Sequence, residues 1–134
     1  MATIRKEAHI DRPPAEVWAA FADVGAVHTR LARGFVTNTE LIEGARMVTF
    51  ANGMVAKELI VTVDSEARRL VYAVVGIPNL VHHNASFQVF EDGVGSRVVW
   101  VADVAPDTAV GTIGGMMEAG MAAMRATLNG AAAV

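Results

Sequence analysis

Two hydrophobic periodicities divide the first third of the chain. Residues 3–10 alternate between apolar and polar side chains, which is the period of a β-strand with one buried face. Apolar residues then recur at helical spacing over residues 13–24, where two prolines suit the first turn of a helix and a glycine suits its end. A second short helix is predicted over residues 26–33. The chain therefore begins with one strand and two short helices.

From residue 35 onward, short strand-like runs are separated by residues that favour turns. Asn52 and Gly53 give the clearest turn signal, since both tolerate the positive φ angles of a two-residue hairpin turn. Such short turns join antiparallel neighbours. The predicted strands cover residues 35–42, 46–51, 54–64, 69–77, 81–91 and 96–105. With the first strand they make a predicted antiparallel sheet of seven strands.

The last predicted element is a helix over residues 106–129 that no strand follows, so it must lie back across a completed sheet. Methionine fills irregular space, and glycine lets other atoms approach the backbone closely. We therefore interpret this helix as one wall of a hollow that holds a small apolar molecule, and a twisted sheet of seven strands curls around it. The residues behind this interpretation are Met116, Met117, Met121 and Met124, and the interior glycines Gly111, Gly114, Gly115 and Gly120. Residues 130–134 are expected to fray.

The composition favours one α+β domain over residues 1–134. Hydrophobic residues make up 53% of the chain and charged residues 19%, unlike the balance of disordered chains. The net charge is −3 and the basic residues are scattered, which argues against a nucleic-acid partner. The first ten residues carry charges and lack a continuous apolar run, so neither a signal peptide nor a membrane span is expected. Cysteine is absent, which excludes disulfides and thiolate metal sites and fits a cytoplasmic location.

Two of the predicted strands are apolar on both faces, at residues 70–75 and 98–102. A sheet with one face in water should instead alternate between apolar and polar residues. We therefore predict a homodimer that buries the outer face of the sheet.

Three stretches resemble the START-like, or SRPBCC, superfamily, which includes Bet v 1-like proteins and the proteins labelled polyketide cyclase/dehydrase and lipid transport. They are AHIDRPPAEVWAAFADV at 8–24, DSEARRLVYAVV at 64–75 and GSRVVWVADVAP at 95–106. The resemblance covers nearly the whole chain. It implies a helix-grip fold with a large apolar cavity between the sheet and the C-terminal helix. It implies no fixed chemistry, because the superfamily contains carriers, enzymes and co-chaperone modules, and no catalytic residue carries over.

The histidines His82 and His83 are adjacent on a predicted strand, so their side chains project from opposite faces and a shared metal ion is not expected. The buried row of that strand includes Phe87, which places His83 on the inner face. His83 is therefore a candidate for orienting a ligand or for acid–base chemistry, and a histidine satisfied by one buried hydrogen bond is the plain alternative.

Glu58 lies in the middle of a strand whose two faces are both apolar. If Glu58 points inward, its carboxyl group is a candidate acid or base with a raised pKa. If the other face points inward, Lys57 lies inside and Glu58 is a surface charge. The pattern leaves both possibilities open.

Other candidates concern the binding of the ligand. His28 and Arg30, in or just after the second short helix, are placed to meet a polar head group at the open end of a cavity. An ordinary solvated side chain is the alternative for both. The remaining candidate lining residues are Trp18, Tyr72, Trp100, Met117, Met121 and Met124. Plain core packing is the alternative for Tyr72 and Trp100.

Motifs for other functions do not match. No serine lies in a G-x-S-x-G elbow, and the glycines of GTIGGM do not match a nucleotide-binding loop. We therefore expect no cofactor. Three hypotheses remain: a carrier of a small hydrophobic molecule such as a lipid or polyketide, an enzyme of the cyclase or dehydrase kind that uses His83 or Glu58, and a protein-interaction module.

Overall fold

A seven-stranded antiparallel sheet curves around one long helix in the computed structural model, which describes residues 1–130. The strands are β1 (Ala2–Ile10), β2 (Val36–Ile42), β3 (Ala45–Phe50), β4 (Val55–Asp64), β5 (Arg69–Val75), β6 (His82–Asp92) and β7 (Gly95–Ala105). The helices are α1 (Pro14–Ala22), a single π-helical turn (Val27–Leu31), a 3₁₀ turn (Asp107–Ala109) and α2 (Val110–Gly130). The predicted α+β helix-grip architecture is confirmed. Gly130, the first residue of the predicted fraying, is instead the last residue of α2, and residues 131–134 lie outside the described residues.

The sheet has the order β1-β7-β6-β5-β4-β3-β2, so β1 and β2 form its two edges. Strands β2 to β7 follow one another as a meander, and β1 pairs with β7 after the chain has crossed the sheet through the two short helices. This topology leaves one face of the sheet for α1 and α2. The same face carries the hydrophobic core.

Aromatic rings tie the sheet to α1. The ring of Phe21 lies 4.7 Å from that of Phe87, and Phe87 stacks on Trp100 at 4.4 Å. Phe21 has no solvent exposure, and full burial of such a side chain contributes about 1.5–3 kcal/mol to folding. These ring contacts pack α1 against the inner face of the sheet.

The turn between β3 and β4 has three residues instead of the predicted two. The N–H of Phe50 donates to the carbonyl of Met54 at 2.8 Å, which closes a loop of residues 51–53. Gly53 has a φ of +86°, as a three-residue loop with a left-handed residue requires. The side-chain oxygen of Asn52 instead accepts a hydrogen bond from the N–H of Met54 at 2.9 Å. The extra loop residue shifts the strand register by one position.

The long helix begins at Val110, four residues later than predicted, because Pro106 precedes a 3₁₀ turn. The interior glycines of α2 differ in their surroundings. A Cβ atom added at Gly120 would lie 3.2 Å from ring atoms of Phe35 and Trp100, whereas one added at Gly115 would meet nothing within 4 Å. The rings of Phe35 and Trp100 therefore approach the helix backbone closely at Gly120.

The apolar side chains on the outer face of the sheet are less exposed to solvent than the sequence predicts. Val71 and Val99 point outward but are only 7% and 8% exposed within the single chain. Val99 is paired in register with Gln88, and Gln88 with Arg69, so long polar side chains run along this face. The exposed apolar side chains of the sheet lie farther along, on β4, at the end of β5 and at the end of β2. None of the helices among residues 1–130 is long and apolar enough to cross a membrane.

Candidate functional site

A cavity of about 160 Å³ lies between the inner face of the sheet and the N-terminal part of α2, and it is partly open to solvent. Strands β2 to β7 form its floor and sides, the π-helical turn closes one end, and α2 covers it. The apolar lining consists of Val27, Leu31, Ala32, Phe35, Val36, Val48, Phe50, Met54, Ala56, Val74, Ile77, Leu80, Phe87, Ile113, Met116, Met117 and Met124. The polar lining consists of Arg46, Glu58, Tyr72, His83, Trp100 and Thr112. The lining is thus mostly apolar with a few polar groups, as ligand pockets commonly are.

The exposure of the lining residues shows where the cavity opens. Half-exposed apolar side chains come from the β3–β4 turn, the β5–β6 connection and the start of α2, for example Met54, Leu80 and Met116. Except for Thr112, the polar lining residues are buried. A molecule that enters through this mouth therefore passes apolar side chains before it meets polar ones.

The polar end is dominated by an ion pair between Arg46 of β3 and Glu58 of β4. The Nε–H of Arg46 donates to Oε1 of Glu58 at 2.9 Å, and the two side chains are 3% and 10% exposed. Arg46 also donates from Nη1 to the carbonyl of Val24 at 3.3 Å. The two residues are directly opposite each other in the antiparallel ladder, so both side chains project from the inner face. Of the two alternatives for β4, Glu58 therefore lies on the inner face and Lys57 on the outer face.

Burial raises the pKa of the Glu58 carboxyl above its ordinary value, and the neighbouring Arg46 guanidinium opposes that shift. Desolvation is the larger influence because the carboxylate is removed from water, and one hydrogen-bonded cation does not replace its hydration. The raised pKa makes the Glu58 carboxyl easier to protonate than that of an ordinary glutamate.

Two aromatic side chains form a second polar pair beside the ion pair. The indole N–H of Trp100 donates to the hydroxyl oxygen of Tyr72 at 3.0 Å, and the guanidinium of Arg46 lies 5.5 Å from the centre of the Tyr72 ring. Burial raises the pKa of the Tyr72 hydroxyl, and the nearby Glu58 carboxylate acts in the same direction. Tyr72 is therefore a neutral phenol, and the stacked Phe87 ring fixes its orientation.

His83 completes the polar lining. Its Nδ1 accepts a hydrogen bond from the backbone N–H of Val74 at 3.1 Å, and its ring centre is 5.6 Å from that of Tyr72. Burial, and to a smaller extent the neighbouring His82, lower the pKa of His83 to about 4. His83 is thus a neutral imidazole on the inner face, while His82 is exposed on the outer face.

The structure separates the remaining predicted ligand-binding residues into two groups. Met117 and Met124 line the cavity beside Tyr72, His83 and Trp100. Met121 and Trp18 are buried in the hydrophobic core instead, and the indole N–H of Trp18 donates to Ser65 at 3.3 Å. Neither belongs to the cavity lining, and α1, which carries Trp18, packs against β6 and β7.

His28 and Arg30 lie outside the cavity lining. Nδ1 of His28 is 3.1 Å from the hydroxyl of Thr39, and Arg30 forms an exposed ion pair with Asp23 at 2.9 Å. The π-helical turn instead directs Val27 and Leu31 inward. These two residues close the cavity with apolar surface where a polar head-group contact was expected.

Arg46 is the functional candidate that sequence reasoning missed. The expected two-residue turn at Asn52-Gly53 pairs Glu58 with Met47, whereas the observed three-residue loop pairs it with Arg46. A shift of one residue moves a side chain to the opposite face of the sheet. The available signal was an arginine and a glutamate at mirrored distances from a turn, and it is readable only once the loop length is known.

Comparison with known protein families gives one match over the full chain. The family described as "Polyketide cyclase / dehydrase and lipid transport" matches residues 1–134. No curated protein sequence matches the chain.

Solved structures with the same fold come from bacteria and from a plant. The protein XoxI from Bacillus cereus shares 19% identity at a TM-score of 0.85, over 96% of each chain. A protein from Thermobifida fusca shares 28% identity at a TM-score of 0.74, over 93% of this chain and 91% of its own. Norcoclaurine synthase from Thalictrum flavum, solved as a point mutant with a transition-state analogue, shares 21% identity at a TM-score of 0.67, over 92% and 91%.

Proposed function

The chain belongs to the polyketide cyclase / dehydrase and lipid transport family, and on that basis we propose that it binds a small, mainly apolar molecule in the cavity beneath α2. The observation that carries this proposal is an opening lined by half-exposed apolar side chains that leads to buried polar groups. Burial of apolar ligand surface contributes about 25 cal/mol per Å² to binding. The polar groups add orientation and selectivity.

The size of the cavity favours a ligand with one or two rings, or the end of a longer chain. An engineered apolar cavity of about 150 Å³ in another protein holds benzene. The present cavity has about that volume and opens to solvent, so a longer molecule extends through the mouth between Met54, Leu80 and Met116.

Two adjacent valines of β5 provide a matched test. Val74 lines the cavity, and Val75 is exposed on the outer face of the same strand. We expect native mass spectrometry of protein purified from expressing cells to show a retained small molecule in the wild type and in Val75→Phe. Val74→Phe fills the cavity and loses the molecule. Equal retention in both variants, with both folded by circular dichroism, places the ligand elsewhere and rules out this site.

An enzyme on the same scaffold is the second candidate, and the position of Glu58 favours it. The buried Glu58 carboxyl has a raised pKa and lines the cavity beside neutral His83, which suits general acid–base chemistry on a bound carbonyl compound. Norcoclaurine synthase shows that this fold can carry an enzyme.

Exchange of carbon-bound hydrogen gives a direct test of this chemistry. A base next to a bound ketone removes a proton from the adjacent methyl group, and solvent deuterium replaces it. We expect the protein to accelerate exchange in acetophenone dissolved in D₂O, and Glu58→Gln to abolish the acceleration. If the wild-type protein gives the same exchange rate as buffer alone, an enzyme that uses Glu58 on ketones is excluded. The proposal of a carrier is unaffected by that result.

A homodimer through the outer face of the sheet is a further part of the proposal. Val55 and Leu59 of β4 and Val75 of β5 expose apolar side chains on that face around Lys57, which is paired with Val75. We expect a dimer by light scattering that Leu59→Lys converts to a monomer. A wild-type protein that stays monomeric at all concentrations removes the dimer and leaves the ligand site unaffected.

A further inference from the structure

The hydrogen bond from Val74 to His83 determines where the imidazole proton lies. Nδ1 of His83 accepts this bond from the backbone N–H of Val74, so it carries no proton. The ring is neutral, and its proton therefore resides on Nε2. His83 lines the cavity, and no oxygen of residues 1–130 accepts a hydrogen bond from its Nε2–H.

The hydroxyl of Tyr72 is a second donor. Its oxygen already accepts the indole N–H of Trp100, which leaves the hydroxyl proton to be donated. No side-chain or backbone oxygen among residues 1–130 accepts that proton. Tyr72 and His83 line the same cavity, and their ring centres are 5.6 Å apart.

The charges at this end of the cavity cancel. Arg46 is the cation that faces Tyr72, and it is paired with the carboxylate of Glu58. An anionic ligand would place a second negative charge beside Glu58, and removing both carboxylates from water is unfavourable. A neutral hydrogen-bond acceptor avoids that cost.

Building on the proposed ligand-binding function, we infer that the cavity selects a neutral aromatic or alicyclic ketone, whose carbonyl oxygen is received by the Nε2–H of His83 and the hydroxyl of Tyr72. The remainder of such a ligand is apolar and matches the lining of methionine, valine and phenylalanine side chains. The carbonyl supplies the acceptor that both donors lack. An uncompensated donor inside an apolar cavity is unfavourable, so the carbonyl contributes to selectivity as well as to affinity.

Three aromatic probes of nearly equal size separate the contribution of the carbonyl group from those of shape and charge. Acetophenone carries a carbonyl group, α-methylstyrene has C=CH₂ in its place, and benzoate carries a carboxylate. We expect isothermal titration calorimetry to give about tenfold tighter binding of acetophenone than of α-methylstyrene, and the weakest binding for benzoate. Equal affinities for the first two, or tightest binding of benzoate, overturn the inference while leaving apolar ligand binding intact. Failure of both neutral probes to bind contradicts the proposed function itself.

Variants assign the preference to the two donors. His83→Asn keeps an oxygen that can accept the Val74 N–H and removes the donor at Nε2, and Tyr72→Phe removes the hydroxyl. Each is expected to reduce the preference for acetophenone about threefold, with α-methylstyrene binding nearly unchanged. A preference that survives in both variants excludes these donors.

The tautomer of His83 can be measured in the wild-type protein, independently of whether the variants fold. Nitrogen-15 NMR is expected to show a pyridine-type Nδ1 and a pyrrole-type Nε2 at neutral pH, with the Nε2–H resonance shifting on addition of acetophenone. A proton on Nδ1, or an Nε2–H resonance that ignores acetophenone, contradicts the assignment.

Discussion

Arg46 and Glu58 face each other across the β3–β4 hairpin and form an ion pair at the buried end of an otherwise apolar cavity, with Nε 2.9 Å from Oε1. Such a pair requires both partners, because each charge has lost most of its contact with water. The pair therefore links strand register, stability and the polarity of the site in one contact.

Removal of one partner is expected to be far more damaging than removal of both. Glu58→Leu leaves the Arg46 guanidinium buried without a partner, which lowers the free energy of unfolding by about 3–5 kcal/mol. The double variant Arg46→Met with Glu58→Leu returns to the wild-type value or exceeds it, because apolar side chains replace the whole pair. Urea denaturation measures all three proteins.

The exposed pair of Arg30 and Asp23 is the matched control for the buried one. Arg30→Met changes the free energy of unfolding by less than about 1 kcal/mol, since both of its charges remain hydrated. A double Arg46/Glu58 variant that is less stable than Glu58→Leu contradicts this account of the buried pair.

The stability of the protein is expected to depend on pH through His83. Burial lowers the pKa of His83 to about 4 from an ordinary value of 6.5, so the unfolded chain binds the proton more readily between those values. The contribution of His83 is present above pH 6.5 and is lost as the pH falls towards 4. We expect wild-type stability to fall more steeply over this range than that of His83→Asn, as measured by urea denaturation at each pH. Parallel curves for the two proteins refute this dependence.

The pKa of His9, a surface residue, is shifted in the opposite direction from that of His83. The hydrogen bond from Nδ1 to Asp92 at 2.9 Å raises the pKa of His9 above 6.5, and Asp11 adds to the effect. Its stabilising contribution is present below pH 6.5 and is lost as the pH rises through the raised pKa. An NMR titration is expected to place the midpoint of His9 above 6.5 and to lower it in Asp92→Asn. An unchanged midpoint in that variant assigns the shift to another cause.

The glycines of α2 are expected to respond differently to substitution. Gly115→Ala places a methyl group in open space and raises the free energy of unfolding by about 0.5–1 kcal/mol, because alanine favours the helix. Gly120→Val forces side-chain atoms against the rings of Phe35 and Trp100 and lowers it by about 1–3 kcal/mol. Thermal denaturation of both variants and the wild type measures these changes in stability. Equal effects at both positions are incompatible with the packing observed at Gly120.

The order and type of the elements were predictable because each has its own local signal. Residues 3–10 alternate with strand period, and glycines mark the β2–β3 turn at Gly44 and the β6–β7 turn at Gly93, both with positive φ. The inner position of His83 followed from the same alternation, since Phe87 lies on the buried side of β6.

The polar end of the site was not predictable, because it depends on contacts between strands. The three-residue loop at 51–53 sets which residue faces Glu58, and local sequence does not distinguish it from a two-residue turn. The position of Trp18 depends on how α1 packs against the sheet, so its helical spacing identified it as buried without assigning it to the cavity. Contacts between distant elements therefore decide the composition of the site.

Methyl NMR of methionine gives the most direct test of the cavity as a ligand site, because the chain has seven methionines in contrasting positions. Met117 and Met124 line the cavity, whereas Met1 is exposed and Met47 lies outside the lining. On titration with α-methylstyrene, we predict saturable shifts of the Met117 and Met124 methyl resonances and none for Met1 and Met47. Unchanged resonances for Met117 and Met124 at saturating probe, or equal shifts for all four methionines, would contradict ligand binding in this cavity.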